Sequence, residues 1–299
     1  MYAIEVNNLS KSYGKVLALS GVSFAVRRGE LFGLIGPDGA GKSTLFRLLT
    51  TLLKSDSGEA KVNGLDITDD YLAIRSCVGY MPGRFSLYPD LSVEENLNFF
   101  AALFGVKVEE SYDLIEPIYK QIAPFRKRRA GKLSGGMKQK LALSCALIHR
   151  PSILFLDEPT TGVDAVSRSE FWDMLAGLKE RGITILVSTP YMDEASRCDR
   201  IALCNEGRIL GIDTPTDIVK GFHSPLYAIR SERTFALLEM ARRQQGVEQC
   251  YPFGECHHLV ANDTFDKELF VKALRDFEDL QIEQAEPTIE DVFIKLMKR

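Results

Sequence analysis

Gly36-Pro37-Asp38-Gly39-Ala40-Gly41-Lys42-Ser43-Thr44 follows the apolar run Leu31-Phe32-Gly33-Leu34-Ile35 and leads into Leu45-Phe46-Arg47-Leu48-Leu49. The flanks predict a strand and a helix, so the glycine-rich turn has the setting that a phosphate-binding loop requires. Gly36, Gly39 and Gly41 let backbone N–H groups curl around phosphate oxygens, where side chains would collide. In such a loop Lys42 reaches the β and γ phosphates and the Ser43 hydroxyl ligates Mg²⁺. The helix that follows points its positive end at the anion.

Two stretches further along bear on the same chemistry. Ile153-Leu154-Phe155-Leu156 predicts a buried strand that closes on Asp157 and Glu158. Asp157 can hold Mg²⁺ through water, and Glu158 can polarise an attacking water. Without the first loop the same pair would read equally as a cap for the next helix. Leu133-Ser134-Gly135-Gly136-Met137 introduces the helical run 141–148. Ser134 can cap that helix, and the two glycines leave its first N–H groups approachable, which suits either a phosphate contact or an ordinary cap.

The 299 residues suffice for a large core and, by length, for two domains. Strands are expected at 2–7 and 20–26 with a loop over 9–15 between them, and the helix after the glycine loop is expected to end near Leu53. The stretch 92–150 is helical in pattern, which places a helical piece between strands of an α/β core. Alternation resumes with a helix at 165–180, a strand at 183–187, a short helix at 191–197 and strands near 201–204 and 208–211. Near-continuous apolar strands suit a sheet covered on both faces. Gly221-Phe222-His223-Ser224-Pro225 marks a boundary. Beyond it the order strand, helix, strand, strand, helix, strand, with a last helix at 288–298, matches a ferredoxin-like βαββαβ unit. Within it Cys256-His257-His258 reads as part of a hairpin strand.

Acidic residues (41) slightly outnumber basic ones (37), for a net charge of −4, which argues against a protein built to neutralise nucleic acid. The run 126–129 of four basic residues reads as a solvated face. The cysteines show no CxxC pair; Cys145, Cys198 and Cys204 lie in apolar surroundings and read as buried thiols in a reducing compartment. The N-terminus has no signal-peptide pattern, and no apolar run approaches the length of a membrane span.

Walker A at 36–44, the LSGGM signature at 133–137 and the Walker B run at 153–160 together resemble an ABC-family nucleotide-binding domain. The likeness covers about residues 1–220, with a helical subdomain at about 84–150. Residues 221–299 resemble the accessory C-terminal domain of ABC-2-type exporter subunits, including Glu286-Pro287-Thr288-Ile289-Glu290-Asp291-Val292-Phe293. The resemblance implies that Tyr13 stacks on adenine and that Gly36, Pro37, Asp38, Gly39, Ala40, Gly41, Lys42, Ser43 and Thr44 bind ATP. Ser43 and Asp157 would serve Mg²⁺, and Glu158 would be the catalytic carboxylate. Gly162 and Asp164 fall in the D-loop. Leu133, Ser134, Gly135, Gly136 and Met137 would complete the site of a partner nucleotide-binding domain, since in this family two such domains clamp two ATP molecules head to tail.

Two positions depart from the family. Gly83 stands where a Q-loop glutamine is usual, and Pro190 stands where a switch histidine is usual. Neither side chain can donate or accept a hydrogen bond, so the pattern predicts ATP binding without appreciable turnover. Asp38, where Asn is usual, leaves the backbone cradle intact.

The reading favours a chain on the cytoplasmic face of the membrane, peripherally attached to integral membrane transporter subunits and paired with a consensus ATPase. That partner would be a separate subunit or the other half of a tandem protein. A homodimer performing ordinary export-coupled hydrolysis and a soluble nucleotide-dependent regulator are the other arrangements.

Overall fold

The structure is a computed structural model that describes residues 1–297. The last residue of the helix expected at 288–298 lies outside the described residues. The backbone divides into two compact units, one from Met1 to Pro215 and the other beginning at Thr216.

The first unit opens with a long hairpin, β1 (Tyr2–Tyr13) and β2 (Val16–Arg27), turning at Gly14. This corrects the two short strands expected from the sequence. Register shifts along β1, around Asn8 with its φ of 51°, change which residues face inward. A bulge of this kind breaks the period of two on which a strand is recognised.

β3 (Leu31–Ile35) feeds the glycine loop and α1 (Lys42–Leu49). The helix stops at Leu49 rather than near Leu53, because Thr51 turns to a φ of 61°. β4 (Ser57–Val62) and β5 (Leu65–Asp66) complete a small sheet in the order β2-β1-β4-β5. α2 (Tyr71–Cys77) and β6 (Val78–Met81) precede the helical piece, which holds α3 (Val93–Leu103), α4 (Tyr112–Tyr119) and α5 (Gly135–Leu147). The basic run 126–129 is exposed there.

Then come β7 (Ile153–Asp157), α6 (Ala165–Glu180), β8 (Thr184–Thr189), β9 (Arg200–Asn205) and β10 (Arg208–Asp213). α7 (Pro215–Lys220), a helix not anticipated from the sequence, lies at the division between the units. The main sheet runs β10-β9-β3-β8-β7-β6. Its strands are parallel except for β10, which pairs antiparallel with β9. Every residue of β3, β7 and β8 is buried, as expected of strands covered on both faces. Phe46 of α1 meets Phe155 of β7 edge-on, 6.0 Å between ring centroids. The thiols of Cys145, Cys198 and Cys204 are free and buried, and burial pushes that of Cys204 up to about 12. Among the described residues no helix is long and apolar enough to cross a membrane.

The second unit contains β11 (Leu226–Arg230), α8 (Thr234–Ala241), β12 (Val247–Phe253), β13 (Cys256–Ala261), α9 (Lys267–Ala273), β14 (Gln281–Gln284) and α10 (Ile289–Leu296). Its sheet, β12-β13-β11-β14, is antiparallel throughout, the ferredoxin-like arrangement. α10 is fastened by a buried carboxylate. Asp291 Oδ1 accepts from Tyr251 OH and meets His258 Nδ1, both at 2.6 Å. Its Oδ2 accepts from the Thr288 N–H and hydroxyl, both at 2.7 Å. Cys256-His257-His258 thus lies in β13, with His258 tied to a helix.

Burial alone would raise the Asp291 pKa, but the bonds from His258, Tyr251 and Thr288 outweigh it and hold the carboxyl below the usual range. Its contribution to stability is therefore complete above the ordinary carboxylate range and is lost as pH falls through the depressed value. Asp291→Ala is expected to destabilise this unit by about 3–5 kcal/mol, the cost of breaking a buried charged network. Denaturant unfolding at pH 7 measures the loss, and Asp291→Asn should flatten the acid limb of stability against pH.

Candidate functional site

Parallel pairing brings four loops to one edge of the main sheet. β3 and β8 are in register from Leu31↔Ile185 to Ile35↔Thr189, β8 and β7 reach Asp157↔Ser188, and β7 and β6 reach Met81↔Leu156. The glycine loop, Pro190, Glu158 and Gly83 therefore leave adjacent strands at their carboxyl ends. That edge is where open α/β sheets bind ligands.

The glycine loop is as tight as its spacing implies. Gly36 N donates to Thr189 O at 3.3 Å, and a Cβ on Gly36 would lie 2.1 Å from Cys204 O. Gly41 has a φ of 93°, and a Cβ there would lie 2.4 Å from Ala18 O. No side chain caps the start of α1, so its first N–H groups face the loop. Lys42 is buried: its Nζ donates to Gly36 O at 2.7 Å and Pro37 O at 2.9 Å, and it pairs with Glu158 Oε1 at 3.1 Å. The loop opens on a cavity of about 570 Å³, within the range of small-molecule sites. Asp38, residues 39–44, Glu158 and, from the end of β1, Tyr13 line it.

Asp157 ends β7 and is only 4% exposed. Its Oδ1 accepts from Ser188 Oγ at 2.8 Å, while its Oδ2 has no hydrogen-bond partner among the described residues. Glu158 sits at a φ of 50°, an unfavourable backbone for this residue, held there by bonds from its N–H to Ser188 O at 3.1 Å and Ser188 Oγ at 3.0 Å. Burial and the nearby Asp157 charge push the Tyr80 hydroxyl up to about 12. A Cβ on Gly83 would lie 3.1 Å from the backbone carbonyl oxygen of Asp157 and 3.8 Å from its Oδ2, so position 83 stands beside the end of β7 that carries this carboxylate. Among the described residues no cluster of His, Cys, Asp and Glu could cage a metal by itself. A hydroxyl at Ser43 and a carboxylate at Asp157 are the hard oxygen donors that suit Mg²⁺ shared with phosphates.

The signature forms a separate site. Ser134 caps α5, accepting from Met137 N at 3.4 Å, and Asp164 caps α6, accepting from Ser167 N at 3.0 Å. A Cβ on Gly135 would sit 3.3 Å from Gly162 O, and one on Gly136 2.7 Å from Ser167 Oγ. Gly135 and Gly136 thus abut the segment 162–167 of their own chain, and none of residues 133–137 lines the cavity beside the glycine loop.

Sequence reading missed Ser188, Thr189 and Glu194. Thr189 Oγ1 and Thr160 Oγ1 both donate to buried Glu194, at 2.5 and 3.1 Å, joining the turn after β8 to the turn after β7. The available signal was a polar Ser-Thr pair ending an otherwise apolar strand.

The sequence pattern of the ABC transporter family matches residues 19–161. The chain is 33% identical over 309 residues to the Nod factor export ATP-binding protein I of Paraburkholderia xenovorans (strain LB400), covering 99% of this chain and 97% of that protein. It belongs to the ABC transporter family. It is also 43% identical over 217 residues to the probable multidrug ABC transporter ATP-binding protein YbhF of Escherichia coli (strain K12), spanning 72% of this chain but only 38% of YbhF. Among solved structures, an ATP-binding subunit of an ABC transporter superposes with a TM-score of 0.67 at 31% identity, over 74% of this chain and 93% of that one. The ATP-binding cassette MJ0796, solved as a dimer in a post-hydrolysis state with ADP and Pi, gives 0.64 at 26%, over 71% and 98%. The first unit is accordingly an ABC-type nucleotide-binding domain with an inserted helical subdomain.

Lys42→Ala removes the ammonium from the loop and is expected to weaken Mg-ATP binding about tenfold or more. Isothermal titration calorimetry of the full chain measures the change.

Proposed function

We propose that this chain binds Mg-ATP as one half of a head-to-tail ABC ATPase pair that powers membrane export, and that its own Walker site holds nucleotide without appreciable turnover. The observation that carries this reading is the pair Gly83 and Pro190. They occupy the carboxyl-end loops on either side of β7, next to Asp157 and Glu158, and offer no polar side chain. Phosphoryl transfer depends on positioning and charge stabilisation, and each missing donor can cost on the order of 10²–10³ in rate.

What a partner needs is kept. The glycines at 135 and 136 stand clear of the chain's own nucleotide cavity, on the capped start of α5. A consensus ATPase half, separate or in tandem, would supply the hydrolysing site and receive this signature. The export role is supported by likeness to the Nod factor export ATP-binding protein I and to YbhF, and in this reading the chain works at the cytoplasmic face of the membrane beside integral membrane subunits. A groove of about 530 Å³ supports that attachment: it begins beside Gly83 and exposes Phe85, Leu103 and Phe104.

Steady-state ATP hydrolysis by the purified chain, at concentrations that allow self-association, is expected to stay far below about 1 per second, the lower end of ordinary turnover. A rate at or above that value would overturn the proposal. Gly83→Gln combined with Pro190→His should raise the rate about 10²-fold or more.

A further inference from the structure

The β9–β10 hairpin turns at Glu206-Gly207, where both residues have positive φ, 46° and 74°. Two-residue turns of this backbone favour Asn, Asp or Gly, because longer side chains at positive φ crowd their own backbone. Gly207 meets a strict demand: a Cβ there would lie 2.6 Å from Ala18 O. Glu206 goes against the local preference. Its carboxylate is exposed and forms no hydrogen bond or ion pair with any described residue, so nothing within the fold accounts for it.

The turn is pinned against both β2 and the glycine loop. Gly207 N donates to Ala40 O at 3.2 Å, and Ser20 N donates to Gly207 O at 2.8 Å. A Cβ on Gly41 would fall 3.4 Å from Gly207 Cα. Glu206 lines the same cavity as Tyr13, Leu17 and the phosphate loop, on a turn that touches both β2 at Ala18 and the loop at Ala40. With a base against Tyr13 and phosphates on the loop, the sugar occupies the span between. A carboxylate accepts hydrogen bonds and repels phosphate oxygens, whereas the ribose 2′- and 3′-hydroxyls are donors. An acidic side chain on a ribose 2′-hydroxyl is a proven way to hold a nucleotide.

We propose that Glu206 is a specificity-determining residue that accepts hydrogen bonds from the ribose hydroxyls and makes the site selective for ribonucleotides over deoxyribonucleotides. The inference rests on the reading of this cavity as the ATP site.

Calorimetric titration of the full chain with Mg²⁺ complexes of ATP, 2′-deoxy-ATP, 3′-deoxy-ATP and GTP tests it, on the natural protein and on Glu206→Asn and Glu206→Gln. Asn tolerates the left-handed turn, so that variant is expected to keep or raise the Tm, but its shorter side chain does not reach the sugar. The natural protein should favour ATP over at least one deoxy form by about tenfold. Glu206→Asn should bring that ratio within about twofold, with Glu206→Gln between the two. An unchanged ratio in Glu206→Asn overturns the inference while the ATP site stands. A change confined to the ATP-to-GTP ratio also overturns it, because the contact would then be to the base. Failure of the natural protein to bind any of the four overturns the ATP-site reading, and this inference with it.

Discussion

The hydrogen bond from Gly36 N to Thr189 O fixes the start of the phosphate loop against the turn that carries Pro190. It exists because β3 and β8 pair in parallel and in register up to Ile35↔Thr189. The same register, carried one strand further, sets Ser188 beside Asp157 and holds Glu158 in its unfavourable backbone conformation. A slip of one residue would turn every buried side chain of β8 to the opposite face and separate these groups together. The site stands on strands β3, β7 and β8, whose residues are buried throughout.

Charge balance at the cavity follows from that placement. An ammonium has three donors, and those of Lys42 meet Gly36 O, Pro37 O and Glu158 Oε1. A phosphate entering the loop competes with Glu158 for the same cation. Asp38, Glu158 and Glu206 all line the cavity, so a polyphosphate meets several carboxylates as well as one buried lysine. A divalent cation carried with the phosphates would offset that repulsion, and Asp157 is the neighbouring carboxylate with an uncommitted oxygen.

The second unit uses a buried charge differently. Asp291 satisfies both the start of α10 and two residues of the sheet, Tyr251 and His258, so the helix is attached by direction as well as by apolar burial. Such a network is costly to break from one side because the remaining groups stay buried without partners.

The sequence by itself determined whatever depends on neighbours along the chain. Glycine spacing defined the phosphate loop, Ser134 and the two glycines marked the start of α5, and apolar runs located β3, β7 and β8. The ferredoxin-like order of the second unit was legible for the same reason. Tertiary structure decided which loops share an edge. β6 and β7 pair across the whole inserted helical piece, and only that pairing sets Gly83 against Asp157. The long β1–β2 hairpin was hidden by bulges that broke its period. Ser188, Glu194 and Glu206 gave little local signal, because their partners or their cavity come from strands far away in sequence. Spacing recognises a loop, but only the register of a sheet says what the loop faces.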